Sequence, residues 1–463
     1  MKNLKSFFSG FRQVEFFPVF IGATLLGFAA WQNMYPLVYP DTGTYVLSGI
    51  ESRIPIDRPL LYGLFLRHTS MRETMWLSLL AQVLLVSSVL YAFIKSYFRN
   101  RSYKTIYYFI LVPLIGCTAI SIKSCTLIPD AFTPLSILCF FILVRANQPS
   151  VLRMWFMTVM IFCISVHQSH LMILLVAFLL FAIAESLQHG LNNTLSKTRN
   201  LKFMIPVLLL SFLLTPIINL SYSGKFYWSQ SGSIFIMGRL ADNGMLQSYL
   251  RKNCESHSYE MCNYVEQIPS DFLWNENSPL HKMGGWENPS PEYDLIIRDL
   301  ITTPKYFFQL CYKSLSASIT QFFTFNISLR AENEAMSYDS PPHYALRTVY
   351  NHEMNQYLNS NQNVKRLNYD AIDARQLWFI IIIFSLFALI KISKLGSYTT
   401  HFRRLLSLIF FYTLSNAIIC GVLSIPNPRY QTRVFWLIPL VILMLMISLW
   451  INHRKEILAY FKG

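Results

Sequence analysis

Four short clusters in this 463-residue chain carry side chains able to do chemistry. The first is Asp41 in "YPDTGTY"; the second is "RIPIDRPLLYGLFLR", with Arg53, Asp57, Arg58 and Arg67. Lys123 and Asp130 lie in "KSCTLIPDAF", and Arg429, Tyr430 and Arg433 in "PNPRYQTRVFW". His167 and His170 stand three apart in "VHQSHL". Arginines grip phosphate through paired N–H donors, and a carboxylate facing them suits removal of a proton from a hydroxyl. Each cluster also has a plainer reading. Asp41 and Asp130 both follow proline and precede apolar residues, which suits a helix N-terminus. Arg429 and Arg433 suit anchoring among lipid headgroups, and two histidines on one helical face are more often packed than metal-bound. The clusters gain weight together, because each abuts the end of an apolar run, where ionisable groups are costly and mark a pathway or a site. They imply a substrate with a lipid tail, a phosphate and a polar head.

The elements that must position these residues are membrane helices. The chain is 53% hydrophobic and 14% charged, against about a quarter charged in ordinary soluble domains. Crossing the hydrocarbon takes roughly 20 apolar residues, and runs near that length fall at 14–34, 73–94, 106–122, 129–146, 154–167, 169–186, 203–221, 376–391, 404–424 and 434–451. The first is too long for a removable signal and reads as an anchor. With the N-terminus inside, nineteen Lys and Arg share one side with only Glu15, Glu185 and Glu456. The net charge of +15 then belongs to that side, which the positive-inside rule places in the cytoplasm; it calls for no nucleic-acid partner. The expected fold is an all-α polytopic membrane protein with about ten transmembrane helices. Its parts are an N-terminal transmembrane module over 1–221, a large outer-side loop domain over 222–375 and a C-terminal transmembrane module over 376–463.

The first outer loop, 35–72, contains "TYVLSGI" and "PLLYGLFLRH", each too short to span and suited to an interfacial helix. The 222–375 segment interleaves Trp, Gly, Asn and Pro and is too aromatic for a disordered linker. Within it, 296–325 reads as an interfacial helix in preference to an eleventh span, because a span would invert the sides of the last three. Cys254 and Cys262, with seven residues between them, can close a disulfide in an oxidising compartment; two free thiols are the alternative.

These features together resemble the membrane glycosyltransferases of the GT-C fold, which take a sugar from a polyprenyl-phosphate carrier; protein mannosyltransferases and the lipid A aminoarabinose transferase are members. Asp41 occupies the place of the catalytic Asp that such enzymes carry early in the first outer loop. "DRPLLYGLFL" is similar to the Arg-Pro-aromatic stretch that follows it, and "LIPDAFTPLSIL" and "PRYQTRVFWLIPL" resemble segments of bacterial members. The resemblance implies Asp41 as general base toward an acceptor hydroxyl, and Arg58, Arg429 and Arg433 as holders of the donor phosphate. It implies Lys123, Asp130, Tyr430, His167 and His170 as pocket lining, Trp228, Trp274 and Trp286 as stacking surfaces for sugar, and inversion at the anomeric carbon. It places the protein in a bacterial inner membrane with both termini cytoplasmic and the site periplasmic. No Asp-x-Asp or Glu-x-Asp pair stands in the first loop, so a mechanism without cofactor is favoured over one using a divalent metal. The acceptor is a lipid, a glycan or a protein. The alternatives are a lipid-linked saccharide flippase and an O-antigen ligase or polymerase. On the transferase reading, Asp41 must share a pocket with Arg429.

Overall fold

A computed structural model describes residues 15–98, 102–145, 149–189, 204–327, 338, 340–392 and 400–460. The basic residues at 2, 5, 12, 99, 101, 197, 199, 202, 394 and 462 lie outside the described residues. The principal helices in chain order begin with α1 (Phe16–Leu26), α2 (Phe28–Asn33), α3 (Pro40–Glu51), α4 (Leu61–Ser70) and α5 (Met75–Tyr97). There follow α6 (Tyr103–Cys117), α7 (Ile120–Cys125), α8 (Thr133–Arg145), α9 (Ser150–Ser165), α10 (Gln168–His189) and α11 (Met204–Ser223). The long polar segment holds α12 (Gly232–Asp242), α13 (Met245–Asn253), α14 (Glu292–Thr302), α15 (Pro304–Phe323) and α16 (Pro341–Val349). The chain closes with α17 (Tyr369–Ile392), α18 (Thr400–Leu423), α19 (Pro428–Phe435) and α20 (Leu437–Tyr460). Among the described residues there is no strand, only an isolated parallel bridge between Leu37 and Thr126.

The chain is an all-α integral membrane protein. Every apolar run is helical, as it must be where hydrocarbon offers the backbone no hydrogen-bond partner. Among the described residues, six stretches are long and apolar enough to cross a membrane: α5, α10, α11, α17, α18, and the stretch Pro428–Asn452 that joins α19 to α20. The runs at 14–34, 106–122, 129–146 and 154–167 give shorter apolar helices of 10–17 residues. Local breaks account for two of these. Gly27 divides α1 from α2, and α6 carries Pro113 inside and stops before an extended Thr118.

α5 gives the bundle two ends. At its start the buried carboxylate of Glu353 accepts the Met75 N–H and the Tyr35 hydroxyl. At its other end Lys95 pairs with Glu15, which also takes Lys104 and the hydroxyls of Tyr91 and Tyr103. Glu185 pairs with Arg404 at the end of α10 away from His170.

The 222–375 segment contributes to two cores. Ile234, Met237, Tyr249, Met261, Tyr293 and Ile296 pack together in a small separate one built by α12 to α14, beside which Cys254 and Cys262 are disulfide-bonded. Beyond it, Leu346, Tyr350 and Tyr357 join the main core. The 296–325 stretch is not one interfacial helix. It breaks at Thr303-Pro304, and α15 lies antiparallel on α18, Ser318 meeting Gly421 and Phe322 reaching Phe410. Small and polar Ser314, Ala317, Ser318 and Gln321 form the buried seam, which lets the two backbones approach. Phe308, Tyr312, Leu315, Ile319 and Phe323 remain exposed on the opposite side. Phe322 then reaches with its ring to Phe410, farther along α18.

Candidate active site

Two Pro-Asp turns are held side by side. Leu37 donates its N–H to Cys125 O at 3.1 Å and accepts from Leu127 N–H at 2.9 Å, so the segment before Asp41 runs parallel to the segment before Asp130. Asp41 lies as far beyond Leu37 as Asp130 lies beyond Thr126, the other residue of the bridge. Equal offsets from one parallel register put the two carboxylates beside each other. The Thr42 hydroxyl locks the pair, accepting the Tyr39 N–H at 2.9 Å and donating to Leu127 O at 3.0 Å. Asp41 is therefore not the cap of α3. Tyr39 is the N-cap residue, Pro40 opens the helix and Asp41 stands in its first turn, where the helix dipole favours a negative charge. Asp130 likewise follows the N-cap Ile128 of a short 3-10 turn, Pro129–Phe132.

Arg429 bridges the two turns. Its Nη1 donates to Asp41 Oδ2 at 2.7 Å and its Nε to Asp130 Oδ2 at 2.6 Å. Arg433, one helical turn on and so on the same face of α19, donates from Nη1 to Asp130 Oδ1 at 2.8 Å and from Nη2 to Asn416 Oδ1 at 2.9 Å. The Asn427 side chain caps α19 by accepting from Arg429 N–H at 2.9 Å, and Asn427 is held by two hydrogen bonds to Gln321 of α15, each 2.8 Å. α15 thus anchors the arginines through Asn427. On the open side, Arg58 Nη1 lies 3.1 Å from Asp41 Oδ1 and its Nε donates to Asp57 Oδ2 at 2.9 Å. Tyr39 lies under the Arg429 guanidinium at 4.3 Å and Tyr45 under Arg58 at 5.1 Å, favourable placements for a cation.

The cluster grades from sealed to open. Asp130 and Arg433 side chains are 0% exposed, Arg429 8%, Arg58 11% and Asp41 24%. Burial pushes the Asp41 carboxyl upward, but Arg58 and Arg429 outweigh it and hold the group at about 2. Burial works against the Arg58 charge, and Asp41 more than restores it. Asp41, Asp57 and Asp130 balance Arg58, Arg429 and Arg433, so these six side chains are together neutral. Arg58 Nη1 makes no hydrogen bond among the described residues although it is buried. It is a donor beside Asp41 with capacity left.

The remaining sequence candidates separate. His170 is buried and held from both sides, Nε2 on Thr133 Oγ1 at 2.7 Å and Nδ1 on Cys163 O at 2.6 Å. His167 stacks on it at 5.1 Å and bonds the Ser169 hydroxyl at 2.8 Å. Both support the wall behind Asp130. Tyr430 packs its ring against both arginines of α19, and Lys123 is buried on α7. Trp274 and Trp286 stack on each other at 5.3 Å, whereas Trp228 lies apart against Phe212 and Phe226. Asp57, named with the second sequence cluster, completes the site through Arg58, and Asn416, which the sequence candidates lack, completes it through Arg433. Asn416 had a signal: an amide inside the apolar run "TLSNAIIC". The chain matches no protein-family model, no curated protein and no solved structure.

Proposed function

We propose that the protein is a glycosyltransferase of the GT-C type, with ten membrane passes counting the four shorter apolar helices, that moves a sugar from a polyprenyl-phosphate donor to an acceptor hydroxyl at the outer face of a bacterial inner membrane. The observation that carries this reading is a partly exposed carboxylate, Asp41, held between Arg58 and Arg429 at the rim of a neutral buried charge cluster. The disulfide beside α13 supports an oxidising compartment for the same side.

The charge balance suggests how the step runs. The donor is a phosphodiester with one negative charge. Arg58, ion-paired to Asp41 through Nη1, can be drawn toward it, and as the phosphate draws that guanidinium the Asp41 carboxyl loses part of what depresses it and becomes a stronger base. Asp41 takes the acceptor hydroxyl proton as the oxygen attacks the anomeric carbon, and the bond from that carbon to the phosphate oxygen breaks. The leaving lipid monophosphate gains one negative charge while neutralisation of Asp41 leaves the cluster with one positive charge, so the site's field changes in step with the charge that develops. Attack opposite the leaving group inverts the configuration.

The test is transfer of radiolabelled sugar from polyprenyl-phosphate donors by the purified protein. Asp41→Asn is expected to lower turnover by about 100- to 10,000-fold while the variant elutes as a folded protein. Full activity in Asp41→Asn removes the base assignment. Movement of a lipid-linked saccharide across vesicles without any transfer replaces the transferase with a flippase.

A further inference from the structure

A cavity of about 560 Å³ opens from Thr44, one helical turn after Asp41, between α3, the loop after it, the start of α16 and the small outer core. Its walls include Thr44, Ser48, Glu51 and Asp57 on one side and Trp274 and Trp286 on the other. Positions 41, 44, 48 and 51 fall on one face of α3, so the cavity floor is the continuation of the stripe that begins with Asp41. The lining part, Thr44 to Glu51, runs about 10 Å, with Asp41 one turn before it. Asp57, in the cavity wall, bonds the same Arg58 that pairs with Asp41. The indole wall is braced: Trp286 packs edge-on to Phe235 at 5.6 Å and stacks on Trp274, which is 57% exposed. Arg53 in the wall pairs with Glu287 at 3.7 Å and Asp57 with Arg58, which leaves the Glu51 carboxylate to set the charge of the floor.

We propose that this cavity binds the acceptor, and that the acceptor is a saccharide: one ring stacked on Trp274, hydroxyls bonded to Glu51 and Asp57, and the reacting hydroxyl presented along α3 to Asp41. This rests on the transferase reading for its purpose but not for its binding chemistry. A flat indole face takes the C–H face of a sugar ring, and carboxylates accept hydrogen bonds from neutral hydroxyls. The Glu51 carboxylate disfavours a phosphate, and the volume suits a small ligand of one or two rings. The donor phosphate and the acceptor then approach Asp41 from different sides, the first at Arg58 and Arg429, the second along α3.

The experiment is saturation-transfer NMR on the full-length protein in lipid nanodiscs without sugar detergents, with maltose, cellobiose and N,N′-diacetylchitobiose as probes. Saturation of ring protons is expected in the wild type and in Asp41→Asn for at least one probe. Affinity should fall at least tenfold in Trp274→Ala and stay within threefold in Trp274→Phe, which keeps an aromatic face. No saturation of any probe in the wild type overturns the proposal, as does equal affinity in Trp274→Ala. Saccharide binding without transfer from any polyprenyl-phosphate donor leaves this site standing and removes the transferase. Transfer with an unchanged acceptor KM in Trp274→Ala does the reverse.

Discussion

The Asp130–Arg433 pair offers the sharpest test of the charge cluster. Both side chains are fully buried, and Arg433 has a single carboxylate partner, at 2.8 Å, whereas Asp130 has two guanidiniums. Asp130→Asn therefore leaves Arg433 buried with only the neutral Asn416 amide and the Cys420 sulfur. At 2.8 Å and an effective dielectric constant of about 20, the lost attraction is about 6 kcal/mol. Partial relaxation brings the expected net cost to about 3–5 kcal/mol. Arg433→Met should cost less, about 1–3 kcal/mol, because Asp130 keeps Arg429 Nε at 2.6 Å. In the double variant no orphaned charge remains: the amide oxygen introduced at position 130 still accepts from Arg429, and Arg429 still pairs with Asp41. Its cost should be close to that of Arg433→Met alone. The expected coupling is thus at least about 2 kcal/mol, well above the roughly 0.5 kcal/mol seen for independent sites. Unfolding titrations in mixed micelles, followed by tryptophan fluorescence, measure all four corners of the cycle. Additive single costs would show that the pair is not the sealed unit described above, and the neutral-cluster account of the mechanism would fall with it.

Acid should weaken the rim of the cluster. The folded pKa of Asp41, about 2, lies below its ordinary 3.8, so its stabilising share is fully present above pH 3.8 and lost as pH falls through about 2. The share is about 2 kcal/mol, and a pH series of melting curves in which wild type and Asp41→Asn show the same acid slope would contradict it. Gly43→Ala should displace α16 from α3, because the added carbon would lie 2.1 Å from the Pro341 carbonyl carbon; a melting point unchanged from wild type would refute that packing. Reducing the Cys254–Cys262 disulfide, which closes a loop with a sequence separation of 8, should destabilise the small separate core built by α12 to α14 by about 2–3 kcal/mol. Proteolysis of the 232–302 region with and without reductant reads this, and equal rates would count against it.

What the sequence made legible divides along lines of interaction range. The ten apolar runs could be read because hydropathy is local, and each is helical. Their lengths could not be read as well, since a break such as the one at Gly27 interrupts a run whose composition stays apolar. α15 escaped for a related reason: its sequence is amphipathic, which suits a membrane surface, but its seam of small polar residues is complementary to Gly421 of a helix about 100 positions later. Only the partner makes that seam meaningful. Tyr39 and the Pro-Asp turns show the opposite case. A proline followed by an acid at a helix start can be read directly, though the caps themselves are Tyr39 and Ile128 and not the acids, and the turn occurs twice in the chain, at 40–41 and 129–130.

That repeated turn explains why an arginine 388 positions from Asp41 had to be its partner. Two carboxylates set side by side by a parallel bridge repel each other, and neither can be buried ionised without a cation shared between them. A guanidinium is the one side chain that presents separate N–H donors along different edges while remaining charged. In this bundle Arg429 does so, with Nε toward Asp130 and Nη1 toward Asp41. A lysine at 429 would offer one point charge in place of two directed edges, so Arg429→Lys should leave one carboxylate without its bond. Because Asp130 keeps Arg433 and Asp41 keeps only the Arg58 contact at 3.1 Å, the loss should fall on Asp41. The expected result is transfer activity reduced at least tenfold with a melting point lowered by less than in Asp130→Asn. A variant with wild-type turnover would show that the forked contact is dispensable and that Arg58 alone sets the state of Asp41.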